Sequence, residues 1–439
     1  MWTYHPELLE RTVPRYTSYP TAAEFIPDVG ADRQAEALQA IEPGTEVSIY
    51  VHIPFCSEIC WYCGCNTARA NRSHRLTAYL DSLASEIETV ARHLAGKGRV
   101  TRVALGGGSP NALSPIEFVR LLDLIFVTFS MHRPVLSVEI DPRGFTEEWA
   151  LVLGRCGVSR VSLGVQTFDP DIQKNVGRVQ SLDMIRRVVT RLREHDVSSI
   201  NFDLMYGLPG QDLPRLTETL EQTIELAPER VALFGYAHVP HLLPRQRRID
   251  VGTLPDQALR FAMASHGHQC LTEAGYRTIG FDHFAVPDDP VAEAAAADRL
   301  HRNFQGFTDD GCKVLIGLGA SAISQFPGLI VQNEKNSGRY RMMTSSRRLA
   351  ATRGVLRTDE DRFRACMIER LLCGSAVMLP DPLGRIMADQ LQPFIARGLA
   401  RLNNLSLSIT AEGLPYARTI ASLFDQYRSE QKPLFSNAI

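Results

Sequence analysis

The amino-acid sequence predicts an α/β fold, a (β/α) barrel of six units. From residue 47 onward, short apolar runs rich in β-branched residues alternate six times with longer amphipathic segments. Such a succession implies parallel strands joined by right-handed crossovers, in a barrel or a doubly wound sheet. Cysteine, glycine or polar residues stand at the ends of most of these runs. In a barrel those ends converge on one mouth, where active sites are built, so the pattern favours the barrel.

The alternation of apolar runs and amphipathic segments predicts the strands and helices one by one along the chain. The predicted strands span residues 47–53, 100–105, 136–140, 160–165, 200–205 and 230–235. The predicted helices between them span residues 76–94, 115–129, 147–155, 182–194 and 213–226. A seventh strand near residues 278–280 is expected to extend the sheet.

Three regions are expected along the chain. Residues 1–44 carry no clear hydrophobic period and are rich in Pro, Tyr and Thr, which is typical of an arm. Residues 45–339 form the barrel. In residues 340–439, charged helical stretches at 359–372 and 386–396 precede a strand-like run at 405–410, so a small, mostly helical C-terminal domain is expected.

Composition excludes several classes of function. The 439 residues carry a formal net charge of -2, which gives no reason to expect nucleic acid or an anionic membrane as partner. The longest apolar run, near residues 121–129, is too short to span a bilayer, and the start has no basic and apolar secretory pattern. Nine cysteines, an odd number, do not make a disulfide framework. A cytoplasmic protein without membrane insertion is expected.

The most specific motif is the cysteine cluster that follows the first predicted strand. Cys56, Cys60 and Cys63 form a CxxxCxxC array. A zinc site or a fully ligated ferredoxin cluster normally needs a fourth protein ligand. Three thiolates can hold a 4Fe-4S cluster and leave one iron open to an amino acid-like chelator such as S-adenosylmethionine. The alternative is a zinc knuckle in which Cys65 or His52 supplies the fourth ligand.

The array resembles the signature of the radical S-adenosylmethionine (SAM) enzymes, and its surroundings resemble the oxygen-independent coproporphyrinogen III oxidase family. Those surroundings are Cys65 and four segments, namely Pro-Arg-Tyr-Thr-Ser-Tyr-Pro-Thr at 14–21, Tyr-Gly-Leu-Pro at 206–209, Asp-His-Phe-Ala at 282–285 and His-Arg-Asn-Phe-Gln-Gly at 301–306. The match runs from about residue 14 to about residue 324 and weakens beyond. It implies a partial, six-stranded barrel, one 4Fe-4S cluster on the three cysteines, and S-adenosylmethionine as cofactor.

The resemblance also assigns residues to the cofactor. It places the Gly106, Gly107 and Gly108 run against the methionine part, where missing side chains let the backbone approach closely. Carboxylates can accept from the cofactor's amino group or ribose hydroxyls, and an arginine can pair with its carboxylate. The residues expected in these roles are Glu139, Gln166, Arg178 and Asp203. The alternatives are a tight glycine turn and polar residues that are merely satisfied at a barrel rim.

A second S-adenosylmethionine beside the first is expected by the same resemblance. The residues matching its surroundings are Tyr50, Ala237, Phe304, Gln305 and Ile323. Cys65 is expected to line the site without binding iron, although a small residue packed behind the loop would also explain it. Cys65 and Tyr50 are the candidate catalytic residues.

The implied substrate is coproporphyrinogen III, a flexible tetrapyrrole with four propionates. One electron, from a donor such as a flavodoxin or ferredoxin, would produce a 5′-deoxyadenosyl radical that removes hydrogen from the β-carbon of a propionate. Loss of an electron and CO2 would leave a vinyl group, and a second round would give protoporphyrinogen IX. Candidate contacts to the substrate are Arg15, Tyr16, Tyr19, Arg178, His301 and Arg302.

Further expectations are that the arm closes over the mouth and that the enzyme is a monomer. Two other functions remain open. One is a haem-binding chaperone of the same barrel family, whose members usually lack Cys65 and the arm. The other is a radical SAM reaction on a different tetrapyrrole.

Overall fold

The computed structural model describes residues 2–70 and 73–428. The first strands are β1 (Thr45–Ile53), β2 (Phe55–Cys56), β3 (Ala68–Arg69), β4 (Gly98–Gly107), β5 (Val135–Ile140), β6 (Val158–Gln166), β7 (Ser199–Tyr206), β8 (Arg230–Gly235), β9 (Arg277–Ile279) and β10 (His283–Ala285). The later strands are β11 (His301–Asn303), β12 (Gly306–Thr308), β13 (Val314–Leu318), β14 (Ile323–Phe326), β15 (Leu329–Asn333), β16 (Ala351–Leu356), β17 (Val377–Met378), β18 (Ala400–Asn403) and β19 (Ser406–Ile409).

Helices alternate with the strands through the first half of the chain. They are α1 (Ala31–Gln39), α2 (Ser73–Leu94), α3 (Pro115–Thr128), α4 (Glu147–Arg155), α5 (Pro170–Asn175), α6 (Leu182–Glu194), α7 (Leu213–Leu226), α8 (Gln257–Glu273), α9 (Pro290–Ala296), α10 (Ser337–Ser345), α11 (Asp359–Leu372), α12 (Asp381–Ile395) and α13 (Ala417–Ala421). No helix within the described ranges is long and apolar enough to cross a membrane.

The centre of the fold is a twelve-stranded sheet in the order β16-β15-β14-β13-β1-β4-β5-β6-β7-β8-β10-β9. The six predicted strands, β1 and β4 to β8, are neighbours and parallel. The sheet ends on β16 at one edge and on β9 at the other, so it is the predicted partial barrel. The fold class is confirmed.

Both edges of the sheet are larger than the sequence pattern predicted. The strand expected near residues 278–280 is β9, which joins through β10, an antiparallel neighbour of β8. On the other edge β13 runs parallel to β1, and β14, β15 and β16 follow antiparallel. Strands β13 to β15 follow one another without a helix between them, so they lack the βα period on which the prediction rests. Helix α10 precedes β16, but β16 pairs antiparallel with β15 and is not part of a parallel βα unit.

The arm and the C-terminal region are tied to this sheet. The arm contains helix α1, which packs against α2, β15 and β16, and Ile26 pairs with Gly354 of β16. The expected domain limit at residue 339 falls inside α10, and β16 still belongs to the large sheet. Sheet continuity therefore favours a limit after β16. The C-terminal region beyond it carries α11 to α13 and a small sheet in the order β17-β19-β18.

An ion-pair network fills the amino end of the barrel. The Asp309 carboxylate accepts from Arg102 of β4 at 3.0 and 3.1 Å and from Arg160 of β6 at 2.6 and 2.9 Å. The neighbouring Asp310 accepts from the Ser48 hydroxyl at 2.5 Å. The segment after β12 thus links β1, β4 and β6 from inside and closes this end of the barrel.

Candidate active site

The cysteine loop leaves the carboxyl end of β1 and is held in place by backbone bonds. Trp61 N donates to Val176 O at 2.9 Å, and Ala70 N donates to Cys56 O at 2.9 Å. The Gln246 amide donates to Tyr62 O at 3.0 Å. Cys60 is buried, whereas Cys56 and Cys63 are half-buried and Cys65 is exposed. The loop therefore presents its thiols from a fixed backbone at the mouth of the barrel.

Two guanidinium groups point at one of these sulfurs. The Cys60 sulfur accepts from Arg178 Nη1 at 3.3 Å and from Arg143 Nη2 at 3.5 Å. The Cys63 sulfur accepts from the backbone N–H of Cys65 at 3.4 Å. N–H donors and positive charge around thiolates are what an anionic iron–sulfur cluster requires. The three cysteines thus fit a cluster with three protein ligands.

The zinc alternative gains no support. No three His, Cys, Asp or Glu side chains in the described part of the chain converge as ligands of a single metal ion. A cluster takes its thiolates on separate irons, so it does not need that convergence. The ring of His52 is also engaged, because Nε2 lies 3.3 Å from Asn66 O and Nδ1 lies 3.4 Å from the Tyr50 hydroxyl.

Cys65 lies beside Cys63 and keeps its proton. A hydrogen bond between the two thiols raises the pKa of Cys65 well above its usual value. The same bond lowers the pKa of Cys63 to about 6. Cys63 is therefore disposed to act as a thiolate ligand, and Cys65 to act as a neutral thiol at the site.

The glycine run forms a cradle at the end of β4. Gly107 N donates to Glu139 Oε2 at 3.0 Å, and Gly107 has a φ of +100°. A Cβ at Gly106 would collide with the Glu139 carboxylate, and one at Gly108 would collide with the Phe55 carbonyl. The sequence therefore needs glycine here to bring β4, the cysteine loop and Glu139 together.

Two carboxylates lie near this cradle, Glu139 on β5 and Asp203 on β7, with β6 between the two strands. Burial, against the lowering effect of the Gly107 N–H and with the nearby charges of Asp203 and Cys63, raises the pKa of Glu139 to about 7. Burial likewise raises the pKa of Asp203 above its usual value. Asp203 accepts from the Ser162 hydroxyl at 3.0 Å and from the Asn201 amide at 2.8 Å. A buried acidic pair gains from a cationic ligand, and the ammonium and sulfonium groups of S-adenosylmethionine are such cations.

Arg178 lies at the same mouth but is engaged by the protein. Its Nε donates to Gly164 O at 2.9 Å and its Nη2 to Asp141 Oδ1 at 3.3 Å, besides the contact to Cys60. These contacts place Arg178 against the cysteine loop, and its pairing with a cofactor carboxylate stays a prediction. Gln166 ends β6 with a φ of +67° beside it.

Sequence reasoning missed Asp141 and Arg143. Arg143 Nη2 donates to Asp141 Oδ2 at 2.6 Å while also reaching Cys60. Both residues directly follow β5, whose end carries Glu139. The rule that singled out Glu139, a polar residue at a strand's carboxyl end, applies equally to them and would have found them.

The residues expected around a second cofactor are only partly brought together. The Tyr50 and Phe304 rings meet edge to face at 4.5 Å, and both pack with Ala322, which precedes Ile323. Burial raises the pKa of Tyr50, and the neighbouring Glu139 and Cys65 add to this effect, so Tyr50 is close to both. Ala237 O accepts from the Gln246 amide at 3.0 Å. Gln305 is exposed in the turn between β11 and β12.

The candidate substrate contacts divide between two places. Arg15 Nη2 donates to Gly235 O at 3.3 Å, and Arg302 Nη2 donates to Arg15 O at 3.2 Å, so the arm crosses the end of β8. Tyr16 and Tyr19 are buried and bond instead to the C-terminal region, at Asp425 and Gln426. His301 Nδ1 lies 3.3 Å from Glu369 Oε1.

A partial barrel with a three-cysteine loop and a glycine cradle at its mouth defines a radical SAM enzyme, and residues 50–223 match the family described as the Radical SAM superfamily. Oxygen-independent coproporphyrinogen III oxidase from Bradyrhizobium diazoefficiens is 40% identical over 440 residues, covering 98% of each chain. The chain belongs to the oxygen-independent coproporphyrinogen III oxidase family.

Further comparisons agree with this assignment. The relative of the same name from Pseudomonas aeruginosa is 39% identical over 430 residues, which cover 94% of this chain and 93% of the relative. The solved structure of coproporphyrinogen III oxidase from Escherichia coli, described as a radical SAM enzyme, matches with a TM-score of 0.89 at 34% identity. That match covers 97% of this chain and 100% of the other.

Proposed function

We propose that this enzyme converts coproporphyrinogen III to protoporphyrinogen IX by oxidative decarboxylation of two propionate side chains to vinyl groups, without oxygen. One observation carries the proposal. The carboxyl end of the barrel combines a loop of three cysteines, a glycine cradle and the Glu139 carboxylate in a chain that matches relatives of that name along nearly its whole length.

Cys56, Cys60 and Cys63 would hold a 4Fe-4S cluster, and the glycine cradle with Glu139 would hold S-adenosylmethionine. Together these bound groups supply a one-electron reduction and, from it, hydrogen abstraction from an unactivated carbon. The chain's own part is to bind and orient. Arg143 and Arg178 offset the negative charge of the cysteine sulfurs through their contacts to Cys60.

Water exclusion is the second task of the protein. Phe55 is buried beside the loop, and Trp61 and Tyr62 pack with the buried Tyr236. The arm crosses the end of β8 through Arg15 and Arg302. Reactive carbon species must be shielded from solvent, and this cover of loop, arm and aromatic rings provides the shield.

A second S-adenosylmethionine is part of the proposal. Its support is the Tyr50–Phe304 pair, an edge-to-face aromatic contact next to Ala322 and Ile323. The other residues proposed for it are Ala237 and Gln305. Gln305 is exposed, so its side chain is free to turn toward a ligand that arrives at the mouth.

The proposal also covers partners and location. The reaction begins with an electron, so a donor such as a flavodoxin or ferredoxin is required. A monomer is proposed as the active unit. All nine cysteines are free thiols, which fits a reducing compartment such as the cytoplasm.

The test is an anaerobic assay of the iron-reconstituted enzyme with reductant, S-adenosylmethionine and coproporphyrinogen III. Protoporphyrin (after oxidation), CO2 and 5′-deoxyadenosine are followed together. We expect two vinyl groups and two CO2 per substrate, with 5′-deoxyadenosine in step. Cofactor cleavage without CO2 would point to another tetrapyrrole reaction, and bound haem with no turnover would point to the chaperone.

A further inference from the structure

A second polar cavity lies beside the mouth, between the ends of β7 and β8, helix α8, the arm and the C-terminal region. Its interior volume is about 50 Å3, and it is partly open to solvent. Four arginines line it, and Asp282 is the single acidic residue among its described lining residues. Aromatic rings form much of the remaining wall. The arginines are Arg15, Arg260, Arg302 and Arg418, and the rings include Tyr206, Phe234, Tyr236, Phe281 and Phe284.

The protein balances only part of the positive charge in this cavity. Asp282 Oδ1 lies 2.6 Å from His283 Nδ1, and the Asp282 charge also acts on Arg302 and Arg418, so one carboxylate faces four arginines among the described lining residues. Arg260 Nε and Arg302 Nη1 are buried with no hydrogen-bond partner in the described ranges. The Arg418 guanidinium makes no hydrogen bond or ion pair with the described residues, and it lies 5.7 Å from the centre of the Phe281 ring.

Burial and repulsion from Arg15 lower the pKa of three of these arginines. Burial, with the neighbouring Arg15, lowers the pKa of Arg418 to about 10, so Arg418 still carries its charge at neutral pH. Burial also lowers the pKa of Arg260 and of Arg302. Buried charges without partners are costly, and proteins generally pair them with a counter-ion. An anion that entered the cavity would supply this counter-ion for the buried arginines.

The cavity adjoins the proposed active site. The Phe234 ring, which lines the cavity, meets the His283 ring edge to face at 5.3 Å. His283 in turn is near enough to Asp203 for its charge to act on that carboxylate. The Phe234 and His283 rings therefore lie between the cavity and the Asp203 side of the mouth.

We propose that this cavity is a carboxylate site that anchors a propionate which the reaction leaves intact, an inference that rests on the proposed function. The planar fork of an arginine matches a carboxylate in shape and charge, and the aromatic walls suit the apolar part of a tetrapyrrole. A reacting propionate must leave as neutral CO2 and would forfeit such ion pairs. Ion pairs with arginine therefore favour a propionate that keeps its carboxylate throughout the reaction.

The location supports the same assignment. The cavity lies at the ends of β7 and β8, whereas the cysteine loop follows β1 and the glycine cradle ends β4. In the sheet, β5 and β6 stand between β4 and β7. A propionate held at the ends of β7 and β8 would orient the tetrapyrrole. A different propionate would then lie near the cysteine loop and the glycine cradle.

The test measures binding of two fluorescent porphyrins to the cluster-loaded enzyme under anaerobic conditions. Coproporphyrin III carries four propionates and protoporphyrin IX keeps only the two that are not decarboxylated. The variants are Arg418→Gln and Arg260→Gln, with Arg418→Lys as a conservative variant and the exposed Arg401→Gln as matched control. Iron content and the visible spectrum of the cluster establish that each variant is folded.

Loss of a charge-assisted hydrogen bond predicts that both Gln variants weaken both porphyrins about tenfold or more. Arg418→Lys should recover part of the loss, and Arg401→Gln should bind like the wild type. Unchanged affinity for both porphyrins in the Gln variants would overturn the carboxylate site. Weakened coproporphyrin with unchanged protoporphyrin would overturn the anchor, because the site would then hold a reacting propionate. Wild-type enzyme that forms no protoporphyrinogen would instead refute the proposed function.

Discussion

The two ends of the barrel use the same residue types, arginine and aspartate, in different ways. At the amino end Asp309 accepts four hydrogen bonds from Arg102 and Arg160, and these charges satisfy one another. At the carboxyl end Arg143 and Arg178 pair with Asp141 and also extend N–H groups to the Cys60 sulfur. At the amino end the charges pair only with one another, so this network stabilises the fold. At the carboxyl end the arginines also donate to a cysteine sulfur, so this network is available to a group bound by the cysteines.

The largest effect on activity is expected when a thiol at the carboxyl end of the barrel is removed. Cys60→Ala should abolish cluster assembly and all cleavage of S-adenosylmethionine, because a three-ligand site has no ligand to spare. The measurements are iron content, visible absorbance and 5′-deoxyadenosine formation. Cys156→Ala, a half-buried cysteine outside the loop, is the control. A Cys60→Ala enzyme that kept iron and activity would remove Cys60 from the ligands.

The opposite outcome is expected at the amino end. Asp309→Asn leaves Arg160 without its carboxylate partner and should lower the free energy of unfolding by about 3 kcal/mol. The carboxyl end is untouched, so turnover per folded enzyme should stay unchanged. Urea unfolding and steady-state turnover check the two halves of this prediction. A large drop in turnover with unchanged stability would show that the network belongs to the active site.

The same carboxylate gives a pH dependence. Burial opposes it, yet hydrogen bonds from Arg160 and Arg102 hold the pKa of Asp309 far below its usual value. A depressed pKa contributes stability above the unfolded pKa, about 3.9, and that contribution is lost as the pH falls toward the folded pKa. The stability difference between wild type and Asp309→Asn should therefore be constant above about pH 5 and shrink below it. A difference that grew on acidification would contradict the ion-pair account.

A smaller effect is expected from Glu139. Replacing it by Gln removes a charge that would face the cationic cofactor, which predicts a loss of affinity of about 2 kcal/mol. Equilibrium dialysis of S-adenosylmethionine against the cluster-loaded enzyme measures it. The exposed Glu148→Gln on α4 is the matched control. Equal affinities in Glu139→Gln and wild type would leave Glu139 with a role in packing the cradle only.

The smallest effect is expected from Cys65. Cys65→Ala should leave the cluster assembled, because the thiol keeps its proton beside Cys63. Decarboxylation should fall by about tenfold, which corresponds to the loss of one hydrogen bond of about 1.4 kcal/mol at the reacting centre. Iron content and CO2 release are measured on the same sample. Loss of iron would make Cys65 a ligand.

Local signals explain why much of the fold could be predicted. Helices α4, α6 and α7 begin after Thr146, Ser181 and Asp212, whose side chains cap the helix N-termini. Such caps are visible in the sequence, and the predicted bounds of these helices match the structure. Helix α12 starts earlier than predicted, at Asp381 after Pro380. Strands β13 to β15 lack the alternation with helices, and β16 follows α10 as an antiparallel edge strand, so none of the four was predicted.

The site could be predicted only where its residues are close in sequence or follow a strand. The cysteine spacing and the glycine run meet that condition. The arginine cavity does not, because Arg260, Arg302 and Arg418 come from α8, the start of the β11–β12 hairpin and α13. Their proximity depends on how the C-terminal region packs beside β8, which no local period encodes.

The most direct test of the central claim follows a hydrogen atom. Coproporphyrinogen III deuterated at the β-carbons of its propionates is incubated anaerobically with the reconstituted enzyme, reductant and S-adenosylmethionine. Hydrogen abstraction from the β-carbon predicts one deuterium in 5′-deoxyadenosine for each vinyl group formed. Vinyl groups formed with unlabelled 5′-deoxyadenosine, or labelled 5′-deoxyadenosine without CO2, would contradict it.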